Sequence, residues 1–529
     1  MKTNIGILVG GSLSDGFAVR INYDTREQIS TGKFVIISDD THRFFCLITD
    51  LKLETNNPDI LLFPPTAHEQ LLRKTIEQQC VYTTALVRPM IMLDEYNRMV
   101  PVKNIPTHFC DVSFATDSDI ALIFGQEDKN NFFTIGTPPE MHAPVCINLE
   151  KFTERSSGIF GKTGTGKTFL TRLLLAGVIK NNTAANLIFD MHSEYGLQAR
   201  QEKQGACFVK GLKTLFPDHV AIFSLDPQAT RRRGSAPDVT VTIAYHDITI
   251  EDIIALQNEL NLHTTALEAA YLIAARYKEN WLSALLDSGD QLKEFANTIG
   301  AHPESIAALY RKLKRLEKLH FCVKESTSNS LQQLLDYLNR GMSVVLEFGN
   351  YTSSFCYLLV ANVITRVIHE EYVAKTEKFL GSQRAADEPQ KLMITIEEAH
   401  KFLNPLAAQQ TIFGTIAREM RKYYVSLLVV DQRPSGIDTE ILSQIGSKLV
   451  AQLTDEKDIT SVLAGVSNPT GFRAIIAALD SKQQALIFGH AVPMPIVIQS
   501  RTYDEEFYST ICTPVQTKSQ QELIDSLFA

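Results

Sequence analysis

Gly161-Lys162-Thr163-Gly164-Thr165-Gly166-Lys167-Thr168 is the stretch that decides how this chain is read. It fits the pattern G-x-x-x-x-G-K-[ST], in which glycines let the backbone curl so that successive N–H groups point at one anion. Lys167 then reaches the β- and γ-phosphates of a nucleotide. Thr168 places its hydroxyl on the Mg²⁺ that bridges them, and the helix starting there adds its positive end. The flanks agree with this reading. Ser157-Gly158-Ile159-Phe160 reads as a short buried strand, and 169–179 carries Leu170, Leu173, Leu174 and Val178 at helical spacing. All eight residues are therefore candidates for binding ATP with Mg²⁺.

Around this loop, 529 residues are too many for one core and suggest three or four units of ordinary domain size. Apolar residues make up 44% and charged residues 21%, the mix of a soluble globular protein. Lys plus Arg is 51 against 60 for Asp plus Glu, a net charge of −9, which excludes a wholly basic nucleic-acid surface but not a local basic channel. Eight scattered cysteines without a C-x-x-C pair suit a reducing compartment and argue against a zinc site or a disulfide framework. No apolar run reaches the length of a membrane span and the start lacks a signal-peptide pattern, so a cytoplasmic protein without membrane contact is expected.

Upstream of the loop, short β-rich runs at 17–21, 33–37, 44–53, 81–87 and 98–103 alternate with turn signals, and a small barrel is expected over 1–110. It could be an assembly or docking module or only a stabilising cap; the residues do not separate these. Residues 111–153 read as a linker into the first part of an ATPase core (111–248).

After the loop, Ala185-Asn186-Leu187-Ile188-Phe189-Asp190 reads as a buried strand ending in an acid, followed by His192 and Glu194. Ligands gather at such strand ends, although Asp190 could equally serve as a cap. Residues 200–233 hold seven basic side chains against three acids, and Arg231-Arg232-Arg233-Gly234 lacks apolar periodicity. An exposed loop is expected there, either a phosphate-backbone contact or, more commonly for such runs, a solvated surface. Over 249–339 the pattern is helical, with one stripe at Leu267, Tyr271, Ile273 and Ala274 and another at Ile306, Leu309, Leu313, Leu316 and Leu319. Arg311, Lys312, Lys314, Arg315, Lys318 and Lys324 give this insert a basic face.

The α/β pattern returns over 340–500. Leu392-Met393-Ile394-Thr395-Ile396 leads into Glu397-Glu398-Ala399-His400, and the 425–431 run leads into Gln432-Arg433-Pro434. Glu397 is placed to hold the metal and Glu398 to polarise an attacking water, with Gln432 as a sensor; the bland alternative is two glutamates at a helix start. Arg418 and Arg421 stand at i and i+3, for surface acids or for a neighbouring subunit's nucleotide. A tail over 501–529 ends in an amphipathic turn, 523–528.

In this order, Gly161 to Thr168, Asp190-Met191-His192-Ser193-Glu194-Tyr195, Ile396 to His400, and Ala417 to Tyr423 followed by Gln432-Arg433-Pro434 resemble the HerA family of the HerA–FtsK superfamily. The likeness covers nearly the whole chain. It implies a RecA-like P-loop ATPase core of the α/β class, with an N-terminal β-barrel and a helical-bundle insertion. It also implies ATP and Mg²⁺ on Lys167 and Thr168, metal and water on Glu397 and Glu398, Gln432 as sensor, and Arg418 or Arg421 as a finger given in trans. A homo-hexamer on double-stranded DNA is the implied assembly, coupled to a NurA-like nuclease or a phage-defence effector. A ring-shaped scaffold for an effector enzyme, or a peripheral conjugation or secretion ATPase, are the alternatives. Glu397 stands where the wider P-loop pattern has aspartate, so it reaches the metal directly or through water.

Overall fold

The computed structural model describes residues 3–512 apart from 40, 63, 67, 128–130, 140, 201–207, 327, 411, 467–469 and 481–482. By its contacts the chain divides into two compact units. The first holds 1–148, 160–166 and 446–501, and the second 149–159, 167–445 and 502–529.

In the first unit, β1 (Asn4–Ser12), β2 (Gly16–Ile21), β3 (Phe34–Ser38), β4 (Arg43–Thr55), β5 (Val81–Leu93), β6 (Met99–Val100) and β7 (Asp111–Phe114) form a sheet in the order 2-1-7-3-4-5-6. β5 also pairs antiparallel with β2, from Phe17↔Val87 to Arg20↔Thr84, so six strands close into a barrel. Alternation along the strands supplies its filling. Val35 and Ile37, Phe44, Cys46 and Ile48, and Phe17 and Val19 share one buried cluster with Ile5, Val87 and Val112. Closure leaves no long unpaired edge.

The passage 111–153, read from sequence as a linker, is built throughout its described part. β7 lies between β1 and β3 in the barrel. A helix, Asp117–Phe124, follows, its start closed by a reciprocal box between Thr116 and Asp119. Two strands, Phe132–Thr137 and Val145–Asn148, and then the helix Leu149–Glu154 complete the passage. With four to six residues each, these strands are too short for periodicity to register. These two strands continue an antiparallel run in the order Ser447–Ala451, Gln484–Gly489, Ile496–Ser500, Phe132–Thr137, Val145–Asn148.

The second unit is built on parallel strands in the order Val239–Thr240, Val220–Ser224, Ser343–Glu347, Ala185–Asp190, Leu392–Glu397, Val425–Asp431. Ser157–Phe160 comes next in the sheet. Near-continuous apolar runs suit strands covered on both faces, and all but Glu397 of the 185–190, 343–347, 392–397 and 425–431 residues are buried. From the 185–190 strand the chain fills one side of the sheet and then the other. The carboxyl ends around that strand are where such sheets place their ligands.

Helices Ile250–Ala255, Thr264–Tyr277, Trp281–Asp287, Leu292–Ile299 and Pro303–Leu313 interrupt this pattern. Ile306, Leu309, Leu313 and Leu316 are buried, as their spacing requires. Tyr271 is not: it is 52% exposed, and the inner stripe of its helix is Ala266, Leu267, Ala269, Ala270 and Ile273. Close packing there is carried by alanines, which a search for large apolar residues passes over. Arg311, Lys314, Arg315 and Lys318 are exposed. The insertion is tied to the long helix Ser354–Ser382 by Arg366, which donates to Asp252 at 3.0 and 3.2 Å and to the Asp247 carbonyl at 2.6 Å.

The arginine run is also corrected. Arg231 and Arg232 close a short helix, Pro227–Arg232, whose start is capped by the Asp226 carboxylate. Arg233 follows that helix and pairs with the buried Glu347, so the first two arginines are helical rather than loop, while all three are exposed as expected. Glu202 and Lys203, and the terminal turn 523–528, lie outside the described residues. Among the described residues no helix is long and apolar enough to cross a membrane.

Candidate active site

The phosphate-type loop leaves the wholly buried strand Ser157–Phe160 and enters the helix Lys167–Lys180. Gly164 and Gly166 have φ of +80° and +89°, a left-handed backbone that a Cβ disfavours, so the curl depends on glycine at both positions. At Gly161 the demand is space, because a Cβ would come within 2.8 Å of the Ala451 side chain. The Thr165 hydroxyl donates to the Lys162 carbonyl at 2.8 Å and closes the loop from inside. Lys162, Thr163 and Gly164 are exposed, while Lys167 and Thr168 are half-buried as the first two residues of the helix.

Four adjacent parallel strands of the second unit end in acids: Glu347, Asp190, Glu397 and Asp431. Register sets Asp190 opposite Glu347, and Ile396 opposite Phe189. Each acid is held differently. Asp190, fully buried, accepts the N–H of Glu194 at 2.8 Å and of Tyr195 at 2.9 Å, so it clamps the turn that follows its own strand. Burial nevertheless pushes its carboxyl up to about 6. Glu347 pairs with Arg233 and accepts the Thr230 hydroxyl at 2.8 Å. Glu397 accepts the Tyr195 hydroxyl at 2.6 Å. Burial, against that donor and with Asp190, Glu194 and Glu398 adding to it, pushes the Glu397 carboxyl up to about 8. A site that crowds buried carboxylates in this way favours an incoming cation.

Glu398 follows the strand with φ of +49°, a left-handed conformation in a residue that has a full side chain. Its Oε1 accepts from Gln432 Nε2 at 2.9 Å. His400 stands beside it, Nδ1 lying 3.8 Å from Glu398 and 3.0 Å from Asp431. Asp431 also accepts the His400 backbone N–H at 2.7 Å and that of Arg433 at 2.6 Å. The hydrogen bond that the His400 ring donates to the Asp431 carboxylate raises the basicity of the imidazole. The structure thus brings Glu397, Glu398 and Gln432 together at neighbouring strand ends. His192 is exposed and joins none of these contacts among the described residues.

Arg418 and Arg421 do not share one continuous α-helical face. The helix Ile412–Glu419 tightens to a 3₁₀ turn over Met420–Tyr423. Arg418 donates to the Ala408 carbonyl at 3.1 Å, and Arg421 pairs with Glu154. Both side chains are exposed.

Two family models match the chain: "HAS barrel domain" over residues 5–90 and "Helicase HerA, central domain" over 133–368. Over 133–368 the chain is similar to the central domain of HerA helicases. Curated relatives include "DNA double-strand break repair helicase HerA" of Sulfurisphaera tokodaii, 23% identical over 94% of this chain and 92% of its own length. The protein of the same description from Saccharolobus solfataricus is 24% identical over 89% of this chain and 87% of its own. Among solved structures, VirB4 of Thermoanaerobacter pseudethanolicus aligns with a TM-score of 0.45 at 13% identity, covering 71% of this chain and 97% of that one.

Sequence reasoning missed Glu347 and Asp431 as members of the acid row, and Arg172, Tyr195 and His400 as contacts. A signal for the first two was present. Val344-Val345-Leu346-Glu347 and Val429-Val430-Asp431 repeat the apolar-run-then-acid pattern of Phe189-Asp190 and Ile396-Glu397.

Proposed function

We propose that this chain is an ATP-hydrolysing motor acting on double-stranded DNA, assembled as a ring of six, that works with a nuclease or other effector. The observation that carries the hydrolytic part is the trio at the strand ends. Glu398 stands in a left-handed conformation, bonded by Gln432 and next to the withdrawn carboxylate of Glu397.

The residues present fit Mg²⁺ and ATP. The curl at Gly161–Gly166 offers backbone N–H groups, Lys167 a point charge, Thr168 a hydroxyl and Glu397 a hard oxygen donor, the set that suits Mg²⁺ and phosphate. Bound Mg²⁺ would neutralise phosphate charge as the terminal phosphoryl group leaves. Glu398 would accept a proton from the attacking water, and Gln432 would hold the Glu398 carboxylate in place. Support for DNA comes from the exposed cations Arg311, Lys314, Arg315 and Lys318 on a chain of net charge −9, and from relatives named as DNA double-strand break repair helicases. A clustered basic face on an acidic protein is the electrostatic footprint of a polyanion contact.

The test pairs two variants with one assembly measurement. Lys167→Ala should lose ATP binding, whereas Glu398→Gln should bind ATP and stop turning it over. Native mass measurement should find six chains, and duplex DNA should stimulate the ATPase of the unaltered protein. Near-normal turnover by Glu398→Gln removes that residue from the reaction, and a hexamer indifferent to DNA removes the motor reading.

A further inference from the structure

Arg172 lies on the helix that Lys167 begins, and it is 2% exposed. Among the described residues no carboxylate pairs with it. Its guanidinium donates to the Glu194 carbonyl at 2.5 Å and lies over the rings of Phe169 and Tyr195, 5.3 and 5.9 Å from their centroids, while its Nε has no acceptor among the described residues. A buried cation without a counter-ion is costly, and a leucine or methionine would fill the same space. The arginine's distinctive contribution is its grip on the turn at Glu194.

That turn carries Tyr195, which is fully buried. Its N–H is fixed by Asp190 at 2.9 Å and its hydroxyl meets Glu397 Oε1 at 2.6 Å. A continuous set of contacts therefore runs from the helix that bears Lys167 and Thr168, through Arg172 and the 194–195 turn, to the Glu397 carboxylate. A phenol is a suitable last member. It occupies one oxygen of Glu397 and leaves the other available, and being neutral it orients the carboxylate without cancelling the charge a cation needs.

We propose that Arg172 and Tyr195 are positioning residues that fix the Glu397 carboxylate relative to the phosphate-loop helix, so that Mg²⁺ affinity depends on them and bare nucleotide affinity does not. The proposal rests on reading Glu397 as a Mg²⁺ contact. Arg172 on the helix and Tyr195 in the turn thereby join the helix that Lys167 begins to the strand end at Glu397.

The experiment uses the full chain and a fluorescent ATP analogue, with affinity measured in EDTA and across a Mg²⁺ titration. Tyr195→Phe keeps the buried ring and removes one hydroxyl. It should leave affinity in EDTA within about twofold of the unaltered protein and raise the Mg²⁺ midpoint about tenfold, the range typical of losing an outer-shell partner. Arg172→Lys keeps the charge but cannot reproduce the planar grip, and should raise the midpoint in the same direction. The double variant should show less than the product of the two single effects, since both act on one carboxylate. Glu397→Gln separates the proposal from the reading beneath it. Loss of the Mg²⁺ response in Glu397→Gln with a normal midpoint in Tyr195→Phe overturns the positioning role alone. An unchanged Mg²⁺ response in Glu397→Gln overturns the reading and the proposal together.

Discussion

Glu398 holds a backbone conformation that its residue type resists, and such strain collects where geometry serves chemistry. The left-handed region costs a non-glycine residue about 1 kcal/mol or more, while asparagine tolerates it because its short side chain bonds locally. Glu398→Asn should therefore be more stable than the unaltered protein by about 1 kcal/mol in urea unfolding, with the neighbouring charge on Glu397 also relieved. It should hydrolyse no ATP. A variant that is both inactive and less stable would show that the conformation stores no strain.

At the scale of elements, the strand Ser447–Ala451 carries a buried lysine, Lys448, 3% exposed. Its ammonium donates to the Val462 and Ala464 carbonyls at 3.0 Å each, where the helix Glu456–Val462 ends, so it satisfies acceptors the helix cannot. Burial lowers its pKa to about 8. Between that value and the roughly 10.4 of a free lysine, the unfolded chain binds a proton that the folded chain has released, so stability rises with pH across this window. The slope attributable to one proton is about 1.4 kcal/mol per pH unit. Lys448→Met should lack this rise, read as the difference between urea midpoints of the two proteins from pH 8 to 10.5. Parallel curves would show that the ammonium stays charged in the fold.

For the whole molecule, the exposed arginines bear on assembly. Arg418 and Arg421 each have a partner in their own chain, a backbone carbonyl and Glu154. An arginine supplied in trans is worth about 10³ to 10⁵ in rate, without contributing to binding. Arg418→Ala or Arg421→Ala should thus bind ATP normally and hydrolyse it slowly. Mixing that variant with Glu398→Gln subunits should restore part of the activity, because some interfaces unite an intact arginine with an intact glutamate. Exchanged rings that stay inactive would withdraw the trans role, and full activity of both single variants would end it.

The sequence by itself determined the elements whose signals are local. Glycines at 164 and 166 followed by Lys167 and Thr168 specify a loop because φ above zero and a helix start are properties of a few adjacent residues. Apolar runs ending in Asp190 and Glu397 likewise announced buried strands with acids at their ends. Which acids meet was decided only by the tertiary structure. Glu347 stands beside Asp190 because a strand more than 150 residues later inserts next to 185–190, and Tyr195 reaches Glu397 across 202 positions. β7 became a barrel strand for the same reason: four residues carry no period of their own, and β1 and β3 supply the partners that define them. Pairing between distant segments depends on topology and on burial of both faces, and no window of the sequence contains both partners.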